Sequence, residues 1–166
     1  MILGLSSATL TLVHLILSLA GIGSGFVVVF GLLTARRFPF WTALFIAATA
    51  LASLTGFLFP FRGMTLNIEL GIPTLAVLML AAAERYSNLF AGNWRHTYVV
   101  SVMIALYCNL FALVAQLFAR YLPPTTRSPA RPGLLQNLAQ LAVFAVLVVL
   151  TYFALRNFHR THDRRA

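Results

Sequence analysis

Between Ala8 and Thr34 the chain carries no aspartate, glutamate, lysine or arginine. A run of that length, rising about 1.5 Å per residue as a helix, crosses the roughly 30 Å hydrocarbon core of a bilayer. Inside lipid every backbone amide must be satisfied within the segment or by a closed sheet, so a lone run of this kind folds as a helix. No basic region precedes it, and it is too long for the apolar part of a signal peptide. A retained first helix is therefore expected.

Four further apolar segments follow, Trp41–Phe59, Leu66–Ala83, Thr97–Ala119 and Leu135–Leu155. The pattern predicts an all-α polytopic transmembrane bundle of five spanning helices, a single domain over residues 1–166, with a cationic tail over 156–166. Composition agrees: 60% of the 166 residues are hydrophobic and 9% are charged, with a mean hydropathy of +0.88. A soluble domain devotes roughly a quarter of its residues to charge. The third segment is the weakest, because Asn67, Glu69 and Pro73 fall near its start. A helix beginning near Gly71 places Pro73 in the first turn at little cost, whereas one beginning at Leu66 holds it inside and should kink. A re-entrant third segment is the competing reading.

The formal net charge is +9, from twelve arginines set against Glu69, Glu84 and Asp163. No polar domain exists to present a basic face, so nucleic acid is not an expected partner. The arginines instead sit between the apolar runs. Five spans place 36, 37, 85, 95, 156, 160, 164 and 165 on one side, eight arginines, and 62, 120, 127 and 131 on the other, four. Basic residues collect on the cytoplasmic face, which predicts an outside N-terminus and a cytoplasmic C-terminus. Aromatic residues at segment ends, among them Trp41, Tyr86, Trp94 and Tyr121, suit the headgroup layer.

The segments Gly56-Phe57-Leu58-Phe59-Pro60-Phe61, Arg85-Tyr86, Ala91-Gly92-Asn93-Trp94-Arg95 and Tyr98-Val99-Val100 form a distinctive set. Ala105-Leu106-Tyr107-Cys108-Asn109, Gln116 and His14-Leu15-Ile16 with Gly21 and Gly25 extend it. Together they resemble a family of uncharacterised small bacterial multi-pass inner-membrane proteins. The resemblance implies a cell inner membrane location and carries no activity and no catalytic residues. One departure stands out: the family pattern has a histidine at the start of the third helix, where this chain reads Asn67-Ile68-Glu69.

At 100° per residue His14, Ser18, Gly21 and Gly25 fall within about 60° of one another on the first helix. Gly21 and Gly25 form the spacing that lets membrane helices approach closely, and Ala48, Ala52 and Gly56 make a matching ladder on the second. These two faces are expected to pack together, with homodimerisation through the glycines as the alternative. His14 shares the stripe, so it should point into the bundle. An ionisable group there is either hydrogen-bonded to a neighbouring helix or functional.

The polar residues of the spans also share a depth. His14, Asn67, Glu69, Gln116, Gln136 and Gln140 fall toward the outer ends, with Asn109 nearer the middle of the membrane. His14, Asn67, Glu69, Asn109, Gln116 and Gln140 are therefore the candidate ligand-binding residues, against the plainer reading that amides join helices. No cofactor or metal is expected. Haem ligated by two histidines needs both at one depth, and His96, His159 and His162 lie outside the depth of His14. Glu69 and Glu84 stand about 22 Å apart along one helix, too far to act as a catalytic pair. No nucleophile elbow or phosphate loop is present, and an enzyme is not expected.

Two functions remain: a non-catalytic accessory or structural membrane subunit, with a second copy or another membrane protein as partner, or binding or transport of a lipid, quinone or solute through the outer polar residues. The orientation is directly testable. Green fluorescent protein fused at the C-terminus should fluoresce, and alkaline phosphatase fused there should be inactive; the opposite pair would reverse the topology.

Overall fold

The computed structural model describes residues 7–58, 66–86, 94–121 and 133–160. It is all-α, with five helices in chain order: α1 (Ser7–Leu33), α2 (Pro39–Phe57), α3 (Leu66–Tyr86), α4 (Trp94–Tyr121) and α5 (Leu134–Arg160). Among the described residues, α1, α2, α4 and α5 are each long and apolar enough to cross a membrane. α3 is one continuous helix of 21 residues. It begins at Leu66, so Pro73 lies inside it and has no N–H to offer the Glu69 carbonyl one turn back. α5 runs on through Arg160, so the first residues of the expected tail are helical.

The turn between α1 and α2 shows how local chemistry sets an antiparallel pair. α1 closes with two backbone bonds, Arg36 N–H to the Gly31 carbonyl at 2.8 Å and Ala35 N–H to the Leu32 carbonyl at 3.4 Å. This is the Schellman arrangement, which needs a left-handed residue just past the helix end. Here that residue is Ala35, at φ 53°, in place of the usual glycine. Gly31 is required for a different reason: a Cβ there would meet the Arg36 carbonyl oxygen at 2.8 Å and the Phe38 ring at 2.9 Å. Phe38, at φ −112° and ψ 82°, is outside the helical region that a following proline disfavours, and Pro39 opens α2 where a missing N–H costs little.

α1 to α4 form a ring in which each helix packs against the next and α4 returns to α1. Successive helices run in opposite directions, so the starts of α1 and α3 share one end of the ring with the finishes of α2 and α4. α5 lies outside, against α4 and α1. Only 17% of its apolar window is buried, against 44% for α1, which makes it a flank of the bundle and not a core element. Asn157 of α5 donates to the Leu33 carbonyl at 2.8 Å, satisfying one of the acceptors that the end of α1 leaves open.

The ring is filled by Phe45, Ala81, Val99, Val102, Ala105 and Leu106, all fully buried. Phe26, Phe30, Leu51, Leu54, Met79, Leu141 and Val146 point outward. In lipid an apolar exterior carries no hydrophobic penalty, and helix association rests on close packing and interhelical bonds. Gly21, Gly25, Ala48, Ala52 and Gly56 are all buried within this single chain. A Cβ on Gly25 would stand 2.8 Å from Leu106 and 3.0 Å from Phe45. The glycine face of α1 is therefore occupied by the chain's own α2 and α4. Gly23, between the two, has nothing within 4 Å.

This contrast supplies an internal control. Gly25→Val should lower stability by about 1–3 kcal/mol through overpacking, whereas Gly23→Val should change it by less than about 0.5 kcal/mol. Thermal unfolding of both variants in one detergent tests the difference, and equal melting temperatures would refute the packing described.

Candidate functional site

At the end of the ring where α1 and α3 start, the four helices part around a cleft of about 50 Å³. His14 and Ser18 line it from α1, one turn apart on the stripe that continues to Gly21 and Gly25. Ala52, Ser53 and Gly56 of α2 form the next wall, and Gly71 with Thr74 the wall from α3. α4 contributes Cys108, Asn109, Ala112 and Gln116. Small residues at 52, 56, 71 and 112 leave the space, because larger side chains there would fill it. A Cβ on Gly71 would already stand 3.0 Å from the Phe57 ring.

Two polar contacts hold the walls. The Thr55 hydroxyl lies 2.9 Å from the carbonyl oxygens of both Leu51 and Ala52, so its single hydrogen is committed to its own helix. Its oxygen lies 3.1 Å from His14 Nδ1, within hydrogen-bonding distance, which joins α1 to α2. Deeper in the bundle Asn109 Nδ2 donates to Thr49 Oγ1 at 3.0 Å. Thr49 is fully buried, and a Cβ on Gly21 would approach its Oγ1 to 2.8 Å. Gly21 thus makes room for the bond that ties α4 to α2, and three helices meet at that point. Below it Gly25, Phe45 and Leu106 close the bundle.

Among the described residues, no aspartate, glutamate, lysine or arginine lines the cleft. Nor, among the described residues, does any group of three or more histidine, cysteine, aspartate or glutamate side chains form a metal-binding cluster. The chemistry available is that of hydroxyl, amide, thiol and imidazole groups, which bind through hydrogen bonds.

The structure gathers His14, Asn109 and Gln116 of the sequence-derived set at this cleft. Gln116 is exposed at the mouth. Glu69 is exposed and does not line it, and the side chain of Asn67 lies outside the described residues. Gln140 is buried elsewhere, between α5 and α4, where its Nε2 donates to the Phe111 carbonyl at 3.0 Å. Position along the helix axis grouped these residues in the sequence, but the angular setting of α5 and α3 separates Gln140 and Glu69 from the others.

Ser53 and Thr74 were not singled out from the sequence, nor were the supporting Thr49 and Thr55, and Cys108 read there only as a small core residue. A signal existed for Thr49. It lies three and seven residues before Ala52 and Gly56, on the face those small residues define. Ser53 and Thr74 gave no comparable signal, since single hydroxyls recur throughout these helices.

The Asn109–Thr49 bond can be weighed by a double-mutant cycle with Asn109→Leu and Thr49→Val. A coupling of about 0.6 kcal/mol, reaching about 1.7 kcal/mol at most, is expected for a hydrogen bond between membrane helices. Additive losses of thermal stability would mean that the two side chains do not support each other. No protein-family model, no curated protein and no solved structure matches this chain.

Proposed function

We propose that this protein is a non-catalytic accessory or structural subunit of a bacterial cytoplasmic membrane. Its work is helix packing against a second copy or another membrane protein. In this reading all five helices span, with the N-terminus outside and the C-terminus in the cytoplasm. The continuous course of α3 supports its inclusion, since 21 residues of helix reach about 31 Å. The arginine asymmetry supports the orientation.

One observation carries the functional reading. Polar side chains that chemistry would need are engaged in joining helices: His14 to Thr55, Asn109 to Thr49, Gln140 to the Phe111 carbonyl and Asn157 to the Leu33 carbonyl. A catalytic or transporting group has to be presented to a substrate, whereas these fix α1, α2, α4 and α5 relative to one another. What the bundle offers outward is an apolar surface, broadest on α5, with Leu138, Leu141, Phe144, Val148, Val149 and Tyr152 exposed. Such a face suits lipid or the helices of a partner.

Association is the property to measure. Native mass spectrometry after gentle detergent extraction, paired with crosslinking in the intact membrane, should give a discrete multiple of the 18.2 kDa protomer or a defined complex with a second protein. A lone protomer in both experiments would overturn the subunit reading.

A further inference from the structure

The cleft among α1 to α4 has a size and a wall chemistry that the packing role leaves unused. We propose that it is a hydrated site for a small neutral polar molecule of a few heavy atoms, amide- or alcohol-like, with both a donor and an acceptor.

Size decides against the larger candidates. A cavity of about 150 Å³ is what holds benzene, and one water needs roughly 10–15 Å³ on the same scale. At about 50 Å³ the cleft takes roughly three to five waters and is too small to enclose a quinone ring or a lipid headgroup. Charge decides against ions. With no acid or arginine among the described residues of the lining, an ion that left water here would find no countercharge from them.

The walls mix apolar side chains, among them Leu15, Leu19, Leu70 and Leu113, with polar groups, whereas a dry void is lined by apolar groups alone. Elsewhere in the bundle the hydroxyls of Ser24, Thr42 and Thr151 bond back to carbonyls of the preceding turn. Thr74, at the cleft, does the same to the Leu70 carbonyl at 2.6 Å, and its hydroxyl also lies in hydrogen-bonding contact with the Cys108 thiol. Ser18 and Ser53 make no hydrogen bond among the described residues, and both line the cleft, on α1 and α2. Asn109 spends one amide hydrogen on Thr49 and retains a second donor and a carbonyl. Donors and acceptors therefore approach the same small volume from several helices, which is what a neutral amide or alcohol requires.

Cys108, the single cysteine of the chain, lines the cleft and reports on its occupancy. Iodoacetamide is itself a neutral amide. The Cys108 sulfur displaces iodide to give a carbamidomethyl thioether, with release of iodide and the thiol proton, and intact-mass spectrometry counts the product. Cys108 is buried, so iodoacetamide reaches it only through the cleft. In nanodisc-embedded protein it should react slowly, at a rate set by entry to the cleft, and acetamide should slow the reaction saturably. Acetate, the charged counterpart of similar shape, should not. The double variant Ser18→Ala/Ser53→Ala keeps the space, so labelling should persist. The acetamide concentration for half-protection should rise about tenfold or more, as expected for loss of two hydrogen bonds. An unreactive Cys108, a rate indifferent to acetamide, equal protection by acetate, or unchanged protection in the folded double variant would each overturn the proposal.

Discussion

The bundle depends on how closely α1 can lie against α2 and α4. At Gly21 and Gly25 the neighbouring side chains come within about 3 Å of where a Cβ would stand, so only glycine allows the approach. In water such contact would be reinforced by the removal of apolar surface from solvent. Lipid provides no comparable drive, because its tails are as apolar as leucine, and dispersion between well-matched surfaces has to suffice. Phe45 and Leu106 fill the space against Gly25, and Thr49 sits against Gly21. The remaining helices are arranged around that junction.

The same close approach decides where polar groups can be placed. Asn109 reaches Thr49 because nothing projects from Gly21 between α1 and their bond. One turn higher, small residues on α2, α3 and α4 no longer meet, and the ring opens into the cleft. Packing and cleft are thus two results of one distribution of small side chains. Where glycine and alanine face bulky partners the helices close, and where they face each other a gap remains. A subunit whose main work is packing can therefore hold a small hydrated site at one end.

α5 plays a different part. It rests on the outside of the ring, is the least buried of the four long apolar helices and leaves most of its length to lipid or a partner. Two polar side chains secure it, Gln140 near its start against α4 and Asn157 near its end against α1. An amide bonded to a carbonyl is a directional contact, and two of them along one helix fix rotation and register in a way that apolar contacts alone would not.

The sequence by itself determined the class of structure and nearly all of its elements. An uncharged run in lipid has only the helix to satisfy its backbone, and the arginines between runs mark the boundaries. The expected segments accordingly agree with the helices to within a few residues, apart from longer ends on α3 and α5. The inward stripe of α1 and the ladder of α2 were also legible, because the helical period alone places Gly21 with Gly25 and Ala52 with Gly56. The membership of the site was not. Depth along a helix follows from residue number, but the direction a side chain takes around the axis matters only once the neighbours are placed. Only the tertiary arrangement put Ser53, Thr74 and Cys108 beside His14 and Asn109, set Gln140 against α4 and left Glu69 outside. That arrangement is fixed by the fit of glycine to phenylalanine, leucine and threonine across helices, a relation between distant residues that no local pattern contains.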